Sequence, residues 1–319
     1  MIFWVLHLPA PWLSGGLVGV VALLVAGFKP AMPDPLRDLG MLLAGAVTGS
    51  AITPEMVQAV ARYPASLLIL AITTALIVVA GRLVLVRGFG WNHQTAMFAA
   101  MPGALSAVIA AVAEVRGDMM RVIAVQSFRM FVLVALLPST VLMAVTEVAP
   151  RPTLVLSASG FAVMMIAALG VALAFLRLNI MAPFLLGGMA AAGLLHVTSL
   201  ISGPPPVVVA NLAMLLVGIY AGSRFSGLDA ETVRSLFLPG IALFAVTTGV
   251  AALGGLAACW LIGIPIAEAL VAYAPGGLEA MVMLGIAMGL DPLYVTSHHV
   301  ARFVMIAAAL PLISRLWTR

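Results

Sequence analysis

The stretch Met101-Pro102-Gly103-Ala104-Leu105 interrupts an apolar segment, and Ala274-Pro275-Gly276-Gly277-Leu278 interrupts another one 173 residues later. Proline removes a backbone donor and glycine permits unusual dihedral angles, so both stretches predict a helix that breaks. The helix that starts after such a break exposes free N–H groups and a positive dipole end, which favours an anion. The alternative is a proline kink that only helps helices to pack.

The two stretches belong to a longer repeat. Polar and proline residues recur downstream of each break with the same separation of 173 residues: Asp118 and Asp291, Gln126 and His299, Arg129 and Arg302, Pro138 and Pro311. This spacing predicts two related halves, residues 1–150 and 151–319. The apolar segment near 154–176 lacks a counterpart in the first half, so either that half lacks a helix or the chain starts upstream of Met1.

Composition indicates a chain that is surrounded by lipid. Of its 319 residues, 64% are hydrophobic and 8% are charged, and the mean hydropathy is +1.21. A soluble domain is nearer a quarter charged. We therefore predict an all-α fold, a polytopic transmembrane helical bundle with membrane lipid as a partner. The net charge of +4 fits loops that face anionic headgroups. No nucleic-acid-binding module is recognisable, so no nucleic-acid partner is expected.

Apolar segments long enough to cross the hydrocarbon core need about 20 residues. The sequence predicts about 11 apolar membrane segments. They are residues 10–28, 37–52, 64–86, 95–115, 120–146, 154–176, 182–201, 206–222, 236–263, 267–288 and 293–314. If every segment crosses, the two halves are parallel repeats within one integral membrane domain. If the Pro-Gly segments turn back, the halves are inverted repeats, and both arrangements occur in transporters.

Broken backbone at membrane depth persists only where protein or a water-filled cavity satisfies its polar groups. The residues of the two breaks are therefore candidate substrate-binding residues: Pro102, Gly103, Pro275, Gly276 and Gly277.

Arg129 and Arg302 each lie deep inside an apolar segment. A charge there costs about 2.5–3.5 kcal/mol on insertion scales, so each arginine should face the bundle interior with a partner. One interpretation is structural, an ion pair or a clamp on backbone carbonyl groups. The other is recognition of a carboxylate or phosphate by the planar guanidinium. His299 shares a helical face with Arg302, and all three residues are candidate substrate-binding residues.

The acidic residues near the breaks suggest separate roles. Asp118 and Asp291 precede predicted helices and favour helix capping. Glu279 follows the second break in an otherwise apolar segment, where the equivalent residue of the first half is Ser106. Two roles are open for this candidate binding residue: a titratable group that couples a proton or cation to transport, or an ion pair with Arg302.

The sequence predicts no catalytic residue, no metal site and no cofactor. Cys259 is the only cysteine, which excludes a disulfide framework and a thiolate metal cluster. The five histidines form neither an H-x-x-x-H nor an E-x-x-H motif. The adjacent His298 and His299 point about 100° apart on a helix and are poorly placed to share one metal ion.

The duplicated Pro-Gly-(Gly/Ala)-Leu, Asp, Arg and Pro pattern resembles the membrane AbrB family, over nearly the whole chain. This duplicated bacterial inner-membrane family is distinct from the small DNA-binding regulator of the same name. Ala104 departs from the family pattern, which has a second glycine there. The resemblance implies a multi-pass protein of the inner membrane. Members are often labelled regulators of gene expression or ammonia monooxygenases. Since this sequence has no histidine cluster for copper, we predict that it is not an enzyme.

We therefore expect a secondary transporter of a small anionic solute, coupled to protons or sodium ions, with its site between the two halves at the broken helices. The alternative is a membrane regulator or sensor, in which the same pocket binds a ligand and signals through a partner to influence gene expression. Gly277 and Glu279 favour the second half as the working site. A homo-oligomer is compatible with either function.

Overall fold

The computed structural model of the chain describes residues 10–60, 63–103, 108, 111–112, 115, 117–142, 155–180, 182–226 and 230–315. Within these ranges the fold is all-helical, with no strand, which confirms the predicted α class. The helices are α1 (Pro11–Val25), α2 (Asp34–Ser50), α3 (Pro54–Ala59), α4 (Tyr63–Phe89), α5 (His93–Ala100), α6 (Met119–Leu142), α7 (Ala158–Arg177), α8 (Pro183–Val197), α9 (Val207–Ser223), α10 (Ala230–Ile262), α11 (Ile266–Tyr273), α12 (Leu278–Ala287) and α13 (Pro292–Arg315).

The helix bounds differ from the predicted segments at both Pro-Gly stretches and after α2, among other places. Within the predicted segment 95–115, α5 ends at Ala100. The predicted segment 267–288 contains two short helices, α11 and α12, because the backbone leaves helical geometry at the second Pro-Gly stretch. A further short helix, α3, follows α2 and begins with Pro54 at its first position. Thr53 caps α3, since its hydroxyl accepts a hydrogen bond from the N–H of Met56.

The chain folds into two compact units, each assembled from several segments. Unit 1 comprises Met1–Ala61, Pro138–Ser226 and Glu279–Val295, and unit 2 comprises Arg62–Leu137, Gly227–Leu278 and Thr296–Arg319. Each unit therefore takes segments from both predicted halves of the sequence.

Unit 1 is held together by close backbone contacts between helices of different halves. Helix α1 packs against α9, and α2 packs against α8 and α9. A Cβ atom on Gly45 of α2 would collide with the backbone of Leu185 on α8. A Cβ atom on Gly218 of α9 would likewise collide with the backbone of Leu13 on α1. Membrane helices approach this closely where small residues leave the interface free of side chains.

Unit 2 is built around α4 and α10, which pack against each other, and the short helices α5 and α11 pack against α4 and α10 respectively. Its apolar core is formed by buried side chains from several helices, among them Phe98, Val125, Leu243 and Ile306. This core includes Met101 at the first Pro-Gly stretch and side chains of α6 and α13, the helices that carry the buried arginines.

Five described helices are long and apolar enough to cross a membrane, judged by length and composition: Tyr63–Phe89, Met119–Leu137, Ala158–Arg177, Arg234–Ile262 and Pro292–Leu310. Several of their large apolar side chains are exposed, including Leu76 on α4, Ile166 on α7 and Trp260 on α10. Extended exposed apolar surfaces are rare on soluble monomers and suit contact with lipid. These helices fit a membrane protein.

We expect Gly45→Ala to destabilise the purified protein by about 1–3 kcal/mol, since the added methyl group forces α2 away from α8. Thermal unfolding in detergent measures the effect. Gly170→Ala on α7 is the matched control, because nothing lies within 4 Å of a Cβ atom built there. In that helix interior alanine should be neutral or stabilising. Equal unfolding midpoints for the two variants would contradict close packing of α2 on α8.

Candidate functional site

Asp118 and Asp291 lie at the N-termini of α6 and α13, where each carboxylate accepts backbone N–H groups. Asp118 Oδ1 accepts a hydrogen bond from the N–H of Arg121 at 3.0 Å. Asp291 Oδ1 accepts from the N–H groups of Leu293 at 2.8 Å and Tyr294 at 3.1 Å. These are the hydrogen bonds of a helix N-cap. They define where the two arginine-bearing helices begin.

The backbone leaves helical geometry at both Pro-Gly stretches. Helix α5 ends at Ala100, and Gly103 has a φ of +81°, which glycine adopts at little cost. Helix α11 ends at Tyr273, and α12 begins at Leu278, after Pro275-Gly276-Gly277. The carbonyl groups at the ends of α5 and α11 therefore need partners other than the N–H groups of a continuing helix.

The prolines of the two stretches are buried, as is Gly276, whereas Gly103 and Gly277 are half-buried. Residues 104–107, among them Ala104 and Ser106, lie outside the described residues.

Both buried arginines donate hydrogen bonds to these carbonyl groups. Arg129 Nη2 donates to the carbonyl oxygen of Met101 at 3.2 Å, one residue beyond the end of α5. Arg302 Nη1 donates to the carbonyl oxygen of Tyr273 at 3.1 Å, at the end of α11. The arginines are 3% and 1% exposed respectively. A positive charge at a helix C-terminus also interacts favourably with the helix dipole.

A second pair of contacts repeats the same geometry one turn further back. Gln126 Nε2 donates to the carbonyl oxygen of Phe98 at 3.0 Å. His299 Nε2 lies 3.1 Å from the carbonyl oxygen of Val271. Donor and acceptor are 28 residues apart in both cases. Gln126 and His299 thus bind equivalent backbone carbonyl groups in the two halves.

The partners of His299 determine its tautomer. Because a carbonyl oxygen can only accept, Nε2 carries the hydrogen that is donated to Val271. His299 Nδ1 is then free to accept a hydrogen bond from Arg302 Nη2, and these two nitrogen atoms are in contact. His299 is therefore neutral in this arrangement, since a hydrogen on Nδ1 would face the guanidinium.

The two arginines differ in how fully their donors are used. Arg302 has two hydrogen-bond acceptors, and none of its nitrogen atoms is buried without a partner. Among the described residues, Arg129 Nε and Nη1 are buried and have no hydrogen-bond partner. A guanidinium carries five N–H donors, so this part of the chain leaves buried donors of Arg129 unpaired.

Neither arginine is neutralised within the described residues. The described ion pairs of unit 2 include Arg121 with Asp118 at 3.0 Å, but no carboxylate lies within 4.0 Å of Arg129 or Arg302 in that part of the chain. The site is therefore a buried region of net positive charge.

Glu279 lies in the first turn of α12, in unit 1. The cation beside it is Arg224, whose Nη2 is 4.0 Å from Glu279 Oε2. The Arg224 guanidinium also stacks over the ring of Tyr220, 4.9 Å from the ring centre. The structure therefore places this carboxylate beside Arg224, whereas the sequence had suggested Arg302 as an ion-pair partner.

The sequence analysis missed one group of residues in unit 2. His298, Ser66 and Tyr273 are fully buried and joined by hydrogen bonds. The sequence analysis considered His298 only as a possible metal ligand, and no second histidine lies at the spacing of an H-x-x-x-H motif. Tyr273 lies directly before the second break, and this position is the sequence feature that could have identified it as a candidate residue. Within the described residues, no group of three or more His, Cys, Asp or Glu residues could hold a metal ion.

The long apolar helices, the interrupted helices and the buried arginines fit a helical membrane protein with a buried cationic region. The family model described as "Transition state regulatory protein AbrB" matches residues 12–318, and the chain belongs to this family. The chain is also similar to the Bacillus subtilis (strain 168) protein described as "Uncharacterized protein YhjN". The two are 23% identical, over 96% of this chain and 86% of the Bacillus protein.

We expect His299→Gln to be tolerated and His299→Leu to destabilise the protein. Glutamine carries both a donor for Val271 and an acceptor for Arg302, as Gln126 does for the carbonyl group of Phe98 in the first half. Leucine leaves a buried acceptor and a buried charged donor unpaired, at about 1–3 kcal/mol or more. Thermal unfolding of the two variants tests the difference, and equal midpoints would contradict the hydrogen-bond assignment.

Proposed function

We propose that this protein is a secondary transporter of a small anionic solute in the bacterial inner membrane. The observation that carries the proposal is Arg129, whose buried Nε and Nη1 atoms have no hydrogen-bond partner in the part of the chain that the structure describes. Buried polar groups are almost always paired, and an unpaired charged donor in a low-dielectric interior is especially costly. A carboxylate, phosphate or sulfate group bound at Arg129 would remove this cost.

The charge balance of unit 2 supports an anion over a neutral solute. Arg129 and Arg302 are both buried and have no carboxylate partner among the described residues. A bound anion would offset both positive charges in an interior where charge interactions are strong. Arg302 contributes a positive electrostatic potential from a fixed position. Its Nη1 and Nη2 donors already bind the carbonyl oxygen of Tyr273 and the ring of His299.

The lengths of the interrupted helices support transport. Helices α5 and α11 have 8 residues each, and α12 has 10. At about 1.5 Å per residue they reach only about 12–15 Å, roughly half of a hydrocarbon core of about 30 Å. Helices that end at mid-membrane surround the solute site in many secondary transporters.

Two structural repeats, as the sequence predicts, are part of the proposal. The bounds of α2 and α9, of α5 and α11, and of α6 and α13 differ by 173 residues at both ends. Ala10 and Ala182 are left-handed, with φ of 50° and 45°, and each precedes a proline that starts a helix. Since left-handed alanine is uncommon, its occurrence before α1 and again before α8 favours a common origin.

Anion binding should be lost in Arg129→Gln. The wild-type protein is purified and screened by thermal shift against lactate, succinate, citrate, phosphate and sulfate, because a ligand that binds only the folded state raises the unfolding temperature. We expect at least one anion to stabilise the wild type, and the shift to vanish in Arg129→Gln. Arg121→Gln is the matched control, since Arg121 is on the same helix but exposed and paired with Asp118.

Uptake into liposomes separates transport from the alternative. Wild-type protein should move the stabilising anion into vesicles, and Arg129→Gln should not. Binding without uptake would overturn the transporter and favour a ligand sensor, which the family description as a regulatory protein would suit. An equal rise in unfolding temperature on adding the anion to Arg129→Gln and to the wild type would contradict anion binding at Arg129. Copper or iron in the purified protein would instead favour an oxygenase.

A further inference from the structure

His298, Ser66 and Tyr273 form a hydrogen-bonded chain inside unit 2, and none of them takes part in the arginine site through its side chain. His298 Nε2 is 2.8 Å from Ser66 Oγ, and Ser66 Oγ is 3.0 Å from the hydroxyl oxygen of Tyr273. The Tyr273 hydroxyl also donates to the carbonyl oxygen of Ser66 at 2.7 Å. All three side chains are completely buried.

The donors in this chain allow two directions of hydrogen bonding. Each hydroxyl group donates one hydrogen and accepts from another donor, and a neutral imidazole does the same with its two nitrogen atoms. In the structure the Tyr273 hydroxyl hydrogen points to the Ser66 carbonyl oxygen, so Ser66 Oγ donates to Tyr273 and accepts from His298 Nε2. The opposite direction, in which Ser66 Oγ donates to His298 Nε2, requires Tyr273 to turn its hydroxyl hydrogen from the carbonyl oxygen to Ser66 Oγ. A chain that can adopt both directions can pass a proton from end to end.

Several titratable and charged groups surround His298. Tyr63 and Tyr273 place their rings 6.0 Å and 5.8 Å from the imidazole. Ser297 Oγ lies 3.4 Å from His298 Nδ1. His299 is the next residue, and Arg302 follows His298 by four residues, one turn along α13 and on the same helical face.

We propose that His298, Ser66 and Tyr273 form a proton-binding relay that couples a proton to the anion bound at the arginine site. This inference rests on the proposed transport function and identifies the coupling ion as a proton. Proton uptake starts from the direction in which Tyr273 donates to Ser66 Oγ and Ser66 Oγ donates to His298 Nε2. A proton from water then binds the Tyr273 hydroxyl oxygen, Tyr273 passes its original hydrogen to Ser66 Oγ, and Ser66 passes its own hydrogen to His298 Nε2. The new Tyr273 hydrogen then points to the Ser66 carbonyl oxygen, which is the direction seen in the structure. His298 becomes a cation that donates from both ring nitrogens, toward Ser66 and Ser297. Release reverses these steps.

The position of the relay explains how proton and anion affect each other. A protonated His298 and Arg302 are cations on one face of α13. In a low-dielectric interior the positive charge of Arg302 therefore disfavours protonation of His298. An anion at the arginine site offsets both charges. Anion binding therefore favours protonation of His298, and by thermodynamic linkage protonation favours anion binding.

A pH jump tests the relay without any solute. Proteoliposomes on a solid-supported membrane are exposed to a step in proton concentration, and the displaced charge is recorded. We expect a transient current for the wild type and its loss in His298→Gln, which keeps a polar contact with Ser66 but cannot take up a proton. His196→Gln is the matched control, because His196 bonds only locally, to the carbonyl oxygens of Ala192 and Gly203.

A second variant covers the case in which His298→Gln does not fold. Tyr273→Phe removes the hydroxyl at the end of the chain but keeps the backbone carbonyl that holds Arg302. We expect this variant to slow the current without reducing the total displaced charge. An unchanged time course in Tyr273→Phe, a wild-type current in folded His298→Gln, or no current in the wild type would each overturn the relay.

The two proposals fail in different ways. If no anion stabilises or enters the wild type, transport is wrong even where the pH jump displaces charge. If anion uptake occurs in the wild type and His298→Gln keeps the full dependence on a pH gradient, only the relay is wrong. Covalent labelling of the wild type by an alkyl fluorophosphonate, lost in Ser66→Ala, would also overturn it, because Ser66 and His298 would then be a nucleophile and its base.

Discussion

The contact between a buried guanidinium and the carbonyl groups of an interrupted helix is the interaction on which the arrangement of unit 2 depends. Either partner alone is costly in an apolar interior: the arginine as an isolated charge, and the helix end as unpaired acceptors. Arg129 at Met101 and Arg302 at Tyr273 remove part of both costs with one hydrogen bond each. The breaks and the arginines therefore require each other, and the short helices α5 and α11 can end inside the protein.

The same construction occurs twice but is completed differently. In the second half, His299 both donates to Val271 and accepts from Arg302, so the guanidinium is held on two sides. In the first half, Gln126 donates to Phe98, and Arg129 keeps donors that have no partner among the described residues. Two nitrogen atoms of Arg302 therefore have described hydrogen bonds, compared with one of Arg129.

Much of this arrangement could be predicted from the sequence, because its physical causes are local. Apolar length predicted the all-helical class, whereas five of the described helices, compared with about 11 predicted segments, are long and apolar enough to cross a membrane. The Pro-Gly stretches coincide with the ends of α5 and α11. The importance of Arg129 and Arg302 followed from the cost of burying charge. The carbonyl groups that accept from these arginines could not be predicted. Spacing along a helix indicates which residues share a face, but it does not indicate which element packs against that face. Ser66 and Tyr273 are 207 residues apart, and no periodicity relates them. Gly277 and Glu279 favoured the second half, whereas the unpartnered donors belong to Arg129.

The separation between each arginine and its acceptor has a consequence for biosynthesis. Met101 precedes Arg129 by 28 residues, and Tyr273 precedes Arg302 by 29. The carbonyl acceptor is therefore always made first, and the charge emerges from the ribosome when its partner is already present. Each arginine-bearing helix can therefore enter the lipid after the acceptor for its charge has been made. Insertion of an otherwise unfavourable charge then becomes a local event, completed separately for each half of the chain.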